Sequence, residues 1–294
     1  MAQNAYKHRF GDRRDGRLIR SFPAYNKFAP FFMRQRNDTE VFFSDSVEIT
    51  DIDHWLRAQR ANGYKGMGML HLIVAAYVRT VAYRPALNRY VAGQRVFAHN
   101  DITIIMTVKK AMSDEAEETS IKVHFSPSDT IYDIYRKINE QVDEVKANEE
   151  TNGTDKFAEF FSHFPRFLVN FAVDILKFLD YFGWLSNGFI EISPFHGSMI
   201  ITDLGSIGIP PVNHHIYNFG TLPVFIAFGA KRHGVEMDDF GRPVEKKYID
   251  YRATLDERIC DGFYLAGCLK YMKYYMKNPR LLETPPDQVV QDIY

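Results

Sequence analysis

Residues 254–262, Thr-Leu-Asp-Glu-Arg-Ile-Cys-Asp-Gly, combine residue types that do chemistry with a setting that can position them. Asp261-Gly262 ends a strand-like run and opens a helical one. A turn fixed on both sides by regular structure is a common seat of function. Glu257 is the carboxylate in that turn. A glutamate of ordinary pKa, about 4.3, is ionised and a weak base, so it serves as a proton acceptor only where burial raises that value. Upstream, residues 193–208 (Ser-Pro-Phe-His-Gly-Ser-Met-Ile-Ile-Thr-Asp-Leu-Gly-Ser-Ile-Gly) put the Ser198 hydroxyl at a strand entrance, with a glycine-containing turn at the exit. His196, two residues earlier, would share the face of Ser198. A short loop then leads to His214 and His215, the chain's one adjacent histidine pair. An imidazole titrates near neutral pH and can take a proton there. Cys260 and Cys268 lack histidine partners at metal-ligand spacing and read as core thiols.

These residues sit in a chain of 294 residues with 46% hydrophobic and 25% charged side chains. That composition fits a folded globular chain and argues against disorder. A net charge of −1 without basic blocks argues against nucleic-acid binding. The polar N-terminus does not read as a signal peptide, and no apolar run is long enough to suggest a membrane-crossing helix. With two free thiols, the expected location is cytoplasmic.

The elements that must position the candidate residues can be read from periodicity. Residues 1–38 read as an N-terminal arm, and 39–294 as one domain. Alternation over 39–52 predicts a strand, with Asp53 capping a following helix. Residues 69–90 read as a strongly apolar helix ended near Pro85. Residues 94–111 predict two strands around a polar turn at 99–101, and 119–126 another. Ser128 or Asp129 would cap a helix with Ile131, Ile134, Tyr135, Ile138 and Val142 on one face. Residues 189–195, 198–205, 223–232 and 246–259 all read as strands. Leu265, Leu269, Met272 and Met276 stripe a last helix. Helices and strands are mixed without a regular βαβ rhythm, which predicts an α+β fold with a mixed sheet flanked by helices.

Residues 157–184 are unusually rich in phenylalanine and read as two short amphipathic helices joined near Pro165. The first reading is a helical insertion that buries its Phe face on the body or on a neighbouring subunit. The second is a membrane-surface element, which the sparse basic residues Lys156, Arg166 and Lys177 support weakly.

Together, the 254–262 turn, the Gly-Ser-Met-Ile-Ile-Thr-Asp-Leu-Gly strand, the Arg-Pro-Ala-Leu-Asn stretch before 89 and the Asn-Pro-Arg-Leu-Leu ending at 278–282 resemble one family. It is that of chloramphenicol acetyltransferase and the catalytic domains of 2-oxoacid dehydrogenase acyltransferases. The resemblance runs from about Arg13 to Leu282. It implies a mixed sheet flanked by helices and a homotrimer, or a higher assembly of trimers. It also implies active-site channels between subunits, with coenzyme A or acyl-coenzyme A as co-substrate and a hydroxyl or thiol acceptor. By the same resemblance Ser198 stands at the oxyanion hydroxyl, and Asp261 with Gly262 stands at the structural Asp-Gly. Arg13 stands at the arginine that pairs with this aspartate, with Arg14 equally near in sequence.

The family's catalytic histidine is replaced here by Glu257. Loss of a general base typically costs a factor of about 10²–10⁴ in rate. Either Glu257 acts as a non-standard base, His214 or His215 supplies one, or the chain is an inactive scaffold or acyl-coenzyme A binder. His196 is a weaker candidate. No lipoyl segment is expected in the chain, so a lipoyl group would come from another protein.

Overall fold

A computed structural model describes residues 8–109, 118–147 and 163–293. Strand β1 (Gly16–Leu18) and helix α1 (Ala24–Phe32) precede β2 (Glu40–Glu48), α2 (Thr50–Ala61) and α3 (Met69–Tyr83). Then come β3 (Arg89–Ala92), β4 (Arg95–His99), β5 (Ile102–Lys109), β6 (Glu118–Phe125) and α4 (Ile131–Ala147). Helices α5 (Arg166–Phe182) and α6 (Asn187–Ile192) lead to β7 (Met199–Asp203), β8 (Val224–Met237), β9 (Pro243–Asp256) and α7 (Gly262–Lys277).

Six strands form the main sheet in the order β2-β9-β8-β7-β5-β6. Strand β7 lies parallel to both β5 and β8, and the other neighbours are antiparallel. A smaller sheet, β1-β4-β3, stands beside it. The architecture is therefore α+β, a mixed sheet flanked by helices. Residues 16–18, expected within an aperiodic arm, pair with β4 from Gly16↔His99 to Leu18↔Phe97.

The strand period of two divides the residues of β7 between the two faces of the sheet. Met199 and Ile201 join the large core built with α2, α3, α4 and α7. Ile200 turns the other way and packs with Ile105, Ile216, Leu222 and Tyr217. The irregular stretch 208–223 thus covers the second face. Helix α3 is apolar on nearly all sides and buried along most of its length, as a helix held between a sheet and other helices must be.

Several local expectations change. Residues 187–192, read largely as strand, are the short helix α6. A run such as Phe-Ile-Glu-Ile fits either period, and here Ser186 decides by accepting the Phe189 N–H at 3.2 Å as N-cap. Asp53 lies inside α2, one turn past its start, and its carboxylate is drawn to Arg57, Lys231 and Lys247.

The second half of the Phe-rich segment is α5. The half before residue 163 lies outside the described residues. Asp180 is the one buried residue of α5. Its C-terminal turn rests against the β3–β4 turn, where Gly93 has φ +54° and a Cβ would lie 2.3 Å from the Tyr181 carbonyl oxygen. Only glycine permits both that conformation and that approach. Phe167, Phe171, Phe178 and Phe182 are exposed. The expectation that the Phe face packs on the body is therefore corrected: α5 docks through its opposite side, Val169, Ala172, Leu176 and Leu179 with the buried Asp180.

Candidate active site

Strand β9 ends in a turn whose outward and inward residues are fixed by a buried ion pair. Arg258 donates from Nε to Asp256 Oδ1 at 2.8 Å and from Nη2 to Asp256 Oδ2 at 2.7 Å. Thr39 Oγ1 donates to Asp256 at 3.0 Å, and Arg36 Nε lies 3.6 Å from it. Arg258 also donates to the Met33 carbonyl at 2.8 Å. Asp256 and Arg258 are both buried, and between them Glu257 alone is exposed. The Glu257 N–H is held by the Thr39 carbonyl at 3.0 Å. The turn therefore projects the Glu257 carboxylate outward from a rigid base.

The rest of the turn is equally determined. Arg89 donates to the Ile259 carbonyl at 3.2 Å while gripping Asp292 at 2.7 and 2.5 Å, so the C-terminal tail braces the turn. Asp261 caps α7 by accepting the Tyr264 N–H at 2.8 Å, and both Asp261 and Gly262 are exposed. Cys260 and Cys268 are buried free thiols, pushed up to about 12 and about 11 by burial. Neither forms a thiolate near neutral pH.

The expected pairing of Arg13 with Asp261 does not form. Arg13 is buried and bonds Asp180 Oδ1 at 2.6 Å and Asp15 Oδ1 at 3.0 Å. Asp180 also accepts from Gly220 N at 3.1 Å and lies 3.3 Å from His196 Nε2. These partners hold the Asp180 carboxyl below the usual range against the effect of burial, with His196 first and Arg13 next. Arg13 thus secures α5 to the body, and Asp261 serves as a helix cap. Arg14 is exposed, and its carbonyl accepts from Asn100 at 2.8 Å. His196 is buried in this ionic hub and on Ser193 Oγ at 2.8 Å, which leaves it no free edge for substrate.

Ser198 is fully buried. Its Oγ accepts the Thr103 N–H at 3.0 Å and points to the Asp101 carbonyl at 3.5 Å, while its own N–H bonds the Thr103 carbonyl at 2.7 Å. This hydroxyl fastens the start of β7 to β5 and is not free to meet an oxyanion within the chain. The sequence reading missed Thr202, four residues on and on the same strand face. Thr202 is half-buried, pairs with Ala227 in β8, and its hydroxyl has no hydrogen-bond partner among the described residues. Strand alternation through Ile200 was the signal that could have found it.

The histidine pair comes to the end of β9. Thr254 Oγ1 donates to the His214 carbonyl at 2.5 Å, and the Ile216 N–H donates to Glu40, whose register partner is Asp256. The His214 ring stacks on Phe225 at 4.3 Å, and Phe225 is the register partner of Ile200. His214 and Thr202 therefore lie on the same face of the sheet. His214 Nε2 is buried without a partner among the described residues. Burial, then the neighbouring His215, lowers the His214 pKa. A neutral imidazole with a bare nitrogen can take a proton. His215 is exposed, its ring edge-on to Tyr217 at 5.1 Å.

A cleft of about 360 Å³ opens beside the turn, lined by Arg34, Arg36, Gln94, Lys177, Tyr181 and Arg258 among others. A polar cleft of about 300 Å³ lies at the other end of β7, around His99, Asp101, Lys122, His124 and Glu191. Among the described residues no group of His, Cys, Asp and Glu has metal-binding geometry.

No family model matches the sequence, and no curated protein matches it. Solved structures do resemble the fold. The dihydrolipoamide acetyltransferase of Azotobacter vinelandii superposes with a TM-score of 0.58 at 14% identity, over 93% of this chain and 95% of that one. That structure was solved to examine a serine, a histidine and an asparagine in its catalytic mechanism. A probable dihydrolipoamide acetyltransferase from Listeria monocytogenes gives 0.54 at 15% identity, over 86% and 89% of the two chains. A chloramphenicol acetyltransferase gives 0.54 at 11%, over 89% and 99%. At these identities the likeness establishes the fold alone: the chain has the fold of chloramphenicol acetyltransferase and of the dihydrolipoamide acetyltransferase catalytic cores.

Proposed function

We propose that the protein transfers an acyl group from acyl-coenzyme A to a hydroxyl or thiol, with Glu257 as the proton acceptor. The observation that carries this is the turn itself. A buried Asp256–Arg258 pair and the Asp261 cap present one outward side chain at the place where the resemblance puts the family's base. The acceptor's oxygen or sulfur would attack the thioester carbonyl and lose its proton to Glu257. The tetrahedral intermediate would then collapse, expelling coenzyme A as the thiolate. Thr202 is the hydroxyl available to stabilise the oxyanion, in place of Ser198. Gly262 and Asp261 support the turn.

By the same resemblance the working form is a homotrimer or an assembly of trimers, with the channel between subunits, and the two free thiols fit a cytoplasmic location. At such a boundary a neighbouring subunit would cover Glu257 and exclude water from its carboxylate. His214 is the second proton acceptor, favoured by its unpartnered nitrogen. His215 could take part only in an assembly that covers it. The alternative function is an inactive scaffold or acyl-coenzyme A binder, favoured by the solvation of Glu257 in the single chain.

Calorimetric titration with coenzyme A and acetyl-coenzyme A tests the donor site without knowledge of the acceptor. Micromolar binding supports the donor site that the transferase and the inactive binder share, and transfer to an acceptor then separates the two. Absence of binding at millimolar ligand would remove both acyl-coenzyme A readings and leave a scaffold.

A further inference from the structure

Helix α5 meets the body through Val169, Ala172, Leu176, Leu179 and Asp180 and shows a second apolar face to solvent. Phe167, Phe171, Ile175, Phe178 and Phe182 recur at helical spacing on one face, and all are exposed. Phe167 is 70% and Phe171 65% accessible, and Trp184, which follows the helix, is 61%. Contiguous aromatic area of this kind is uncommon on a soluble surface without a partner. Helix α1 carries a second stripe, Tyr25, Phe28 and Phe32, also exposed. Arg34, two residues past α1, lines one cleft together with Lys177 and Tyr181 of α5.

The charges on this surface are mainly positive, with Lys177 paired to Asp174 at 3.5 Å. Lys27, Arg34, Arg166 and Lys177 are exposed across 21–34 and 163–184, against the single exposed acid Asp174. Asp180, the other acid there, is buried on Arg13.

We propose that the aromatic faces of α5 and α1 dock the protein onto an anionic lipid bilayer. Phenylalanine rings would enter the acyl boundary, and Trp184 and Tyr181 would sit at the headgroups, apolar body down and polar tip in water. The flanking cations would meet the lipid phosphates. Among the described residues no helix is long and apolar enough to cross a membrane. Two copies of this face brought together would repel through their like charges, which favours the bilayer as occupant. The inference is independent of the acyl-transfer reading.

Flotation of the purified protein with vesicles of phosphatidylcholine plus phosphatidylglycerol, and of phosphatidylcholine alone, tests it. The expected result is flotation with the anionic vesicles, reduced by salt, with a blue shift of tryptophan emission. Phe171→Ser with Phe178→Ser changes exposed side chains and leaves the hub intact. This variant should keep its circular dichroism and partition roughly a hundredfold less. Lys27→Glu with Lys177→Glu should remove the preference for anionic lipid. Protein that stays in solution at high anionic lipid overturns the proposal. So does equal binding by the Phe171→Ser/Phe178→Ser variant. If that variant lowers the mass in sedimentation equilibrium while neither protein floats, the face is a subunit interface and the proposal also falls.

Discussion

Asp256 and Arg258 form a two-pronged ion pair within one turn, at 2.8 and 2.7 Å, with both side chains sealed from solvent. A residue lying between two side chains so anchored has little freedom, and Glu257 inherits its outward direction from them. The surroundings close the pair on every side. Thr39 takes one carboxylate oxygen, Arg36 stands beside the other, and the Met33 carbonyl receives the remaining guanidinium edge. Removing one partner of a buried pair leaves an uncompensated charge and typically costs about 3–5 kcal/mol. Asp256→Asn should therefore destabilise by that order in urea unfolding. Glu257→Gln, on the exposed position, should change stability by less than about 0.5 kcal/mol. Equal effects would mean that the turn is not organised by this pair.

Glu257→His separates the enzymatic readings. If the frame is a working acyltransferase turn, a histidine there should keep stability and raise transfer to a thiol or alcohol acceptor by about tenfold or more, within the range spanned by general bases. Glu257→Gln should abolish transfer if the carboxylate is the base, and leave it unchanged if His214 is. His214→Gln gives the converse pattern. Stable variants that bind acetyl-coenzyme A and all fail to transfer would favour the inactive binder.

The two hydroxyls of β7 can be told apart in the same way. Ser198→Ala orphans the buried Thr103 N–H and should cost about 1–3 kcal/mol in stability. Thr202→Val removes a hydroxyl without a partner, so it should leave the melting temperature nearly unchanged while lowering any transfer rate. A loss of rate without loss of stability in Ser198→Ala would restore Ser198 as a catalytic group.

Much of this arrangement was legible in the sequence, for reasons that are local. The ends of α7, the Ile131–Ile134–Ile138 face and the Phe-rich segment all announce themselves by caps or by period. What was not legible depends on distance along the chain. Arg13 meets Asp180 across 167 positions, and nothing near Arg13 distinguishes Asp180 from Asp261. Ser198 looks like an available hydroxyl until β5 is laid beside it. Helix α6 is short enough that one cap outweighs an ambiguous pattern. Which apolar face of α5 turns inward is likewise not readable from its period, because Val169, Ala172, Leu176 and Leu179 oppose the Phe stripe, and Asp180 beside them finds its partners on three other segments.

The hub around Asp180 and the His124 bridge should respond to pH in opposite directions. The Asp180 carboxyl is held below its ordinary value by His196 and Arg13. Its contribution is thus fully present above the unfolded pKa, about 3.9, and is lost as pH falls below that. Docking of α5 should be constant from pH 5 upward on its account and weaken only in acid. His124 is held between Asp101 at 2.7 Å and Glu191 at 2.9 Å, joining β6 to the short α6, and is raised to about 9 by Asp101 first. Its contribution is present below the unfolded value of about 6.5 and lost as pH rises through about 9. The ring is 45% exposed, so solvent screens the bridge and the effect on overall stability is small. Its local signature should still be plain: amide exchange of residues 187–192, corrected for the intrinsic rise with pH, should accelerate between pH 7 and about 9, and Glu191→Gln should shift the onset downward. Unchanged protection across that range would show that Ser186 and the packing of α6 hold it without the histidine.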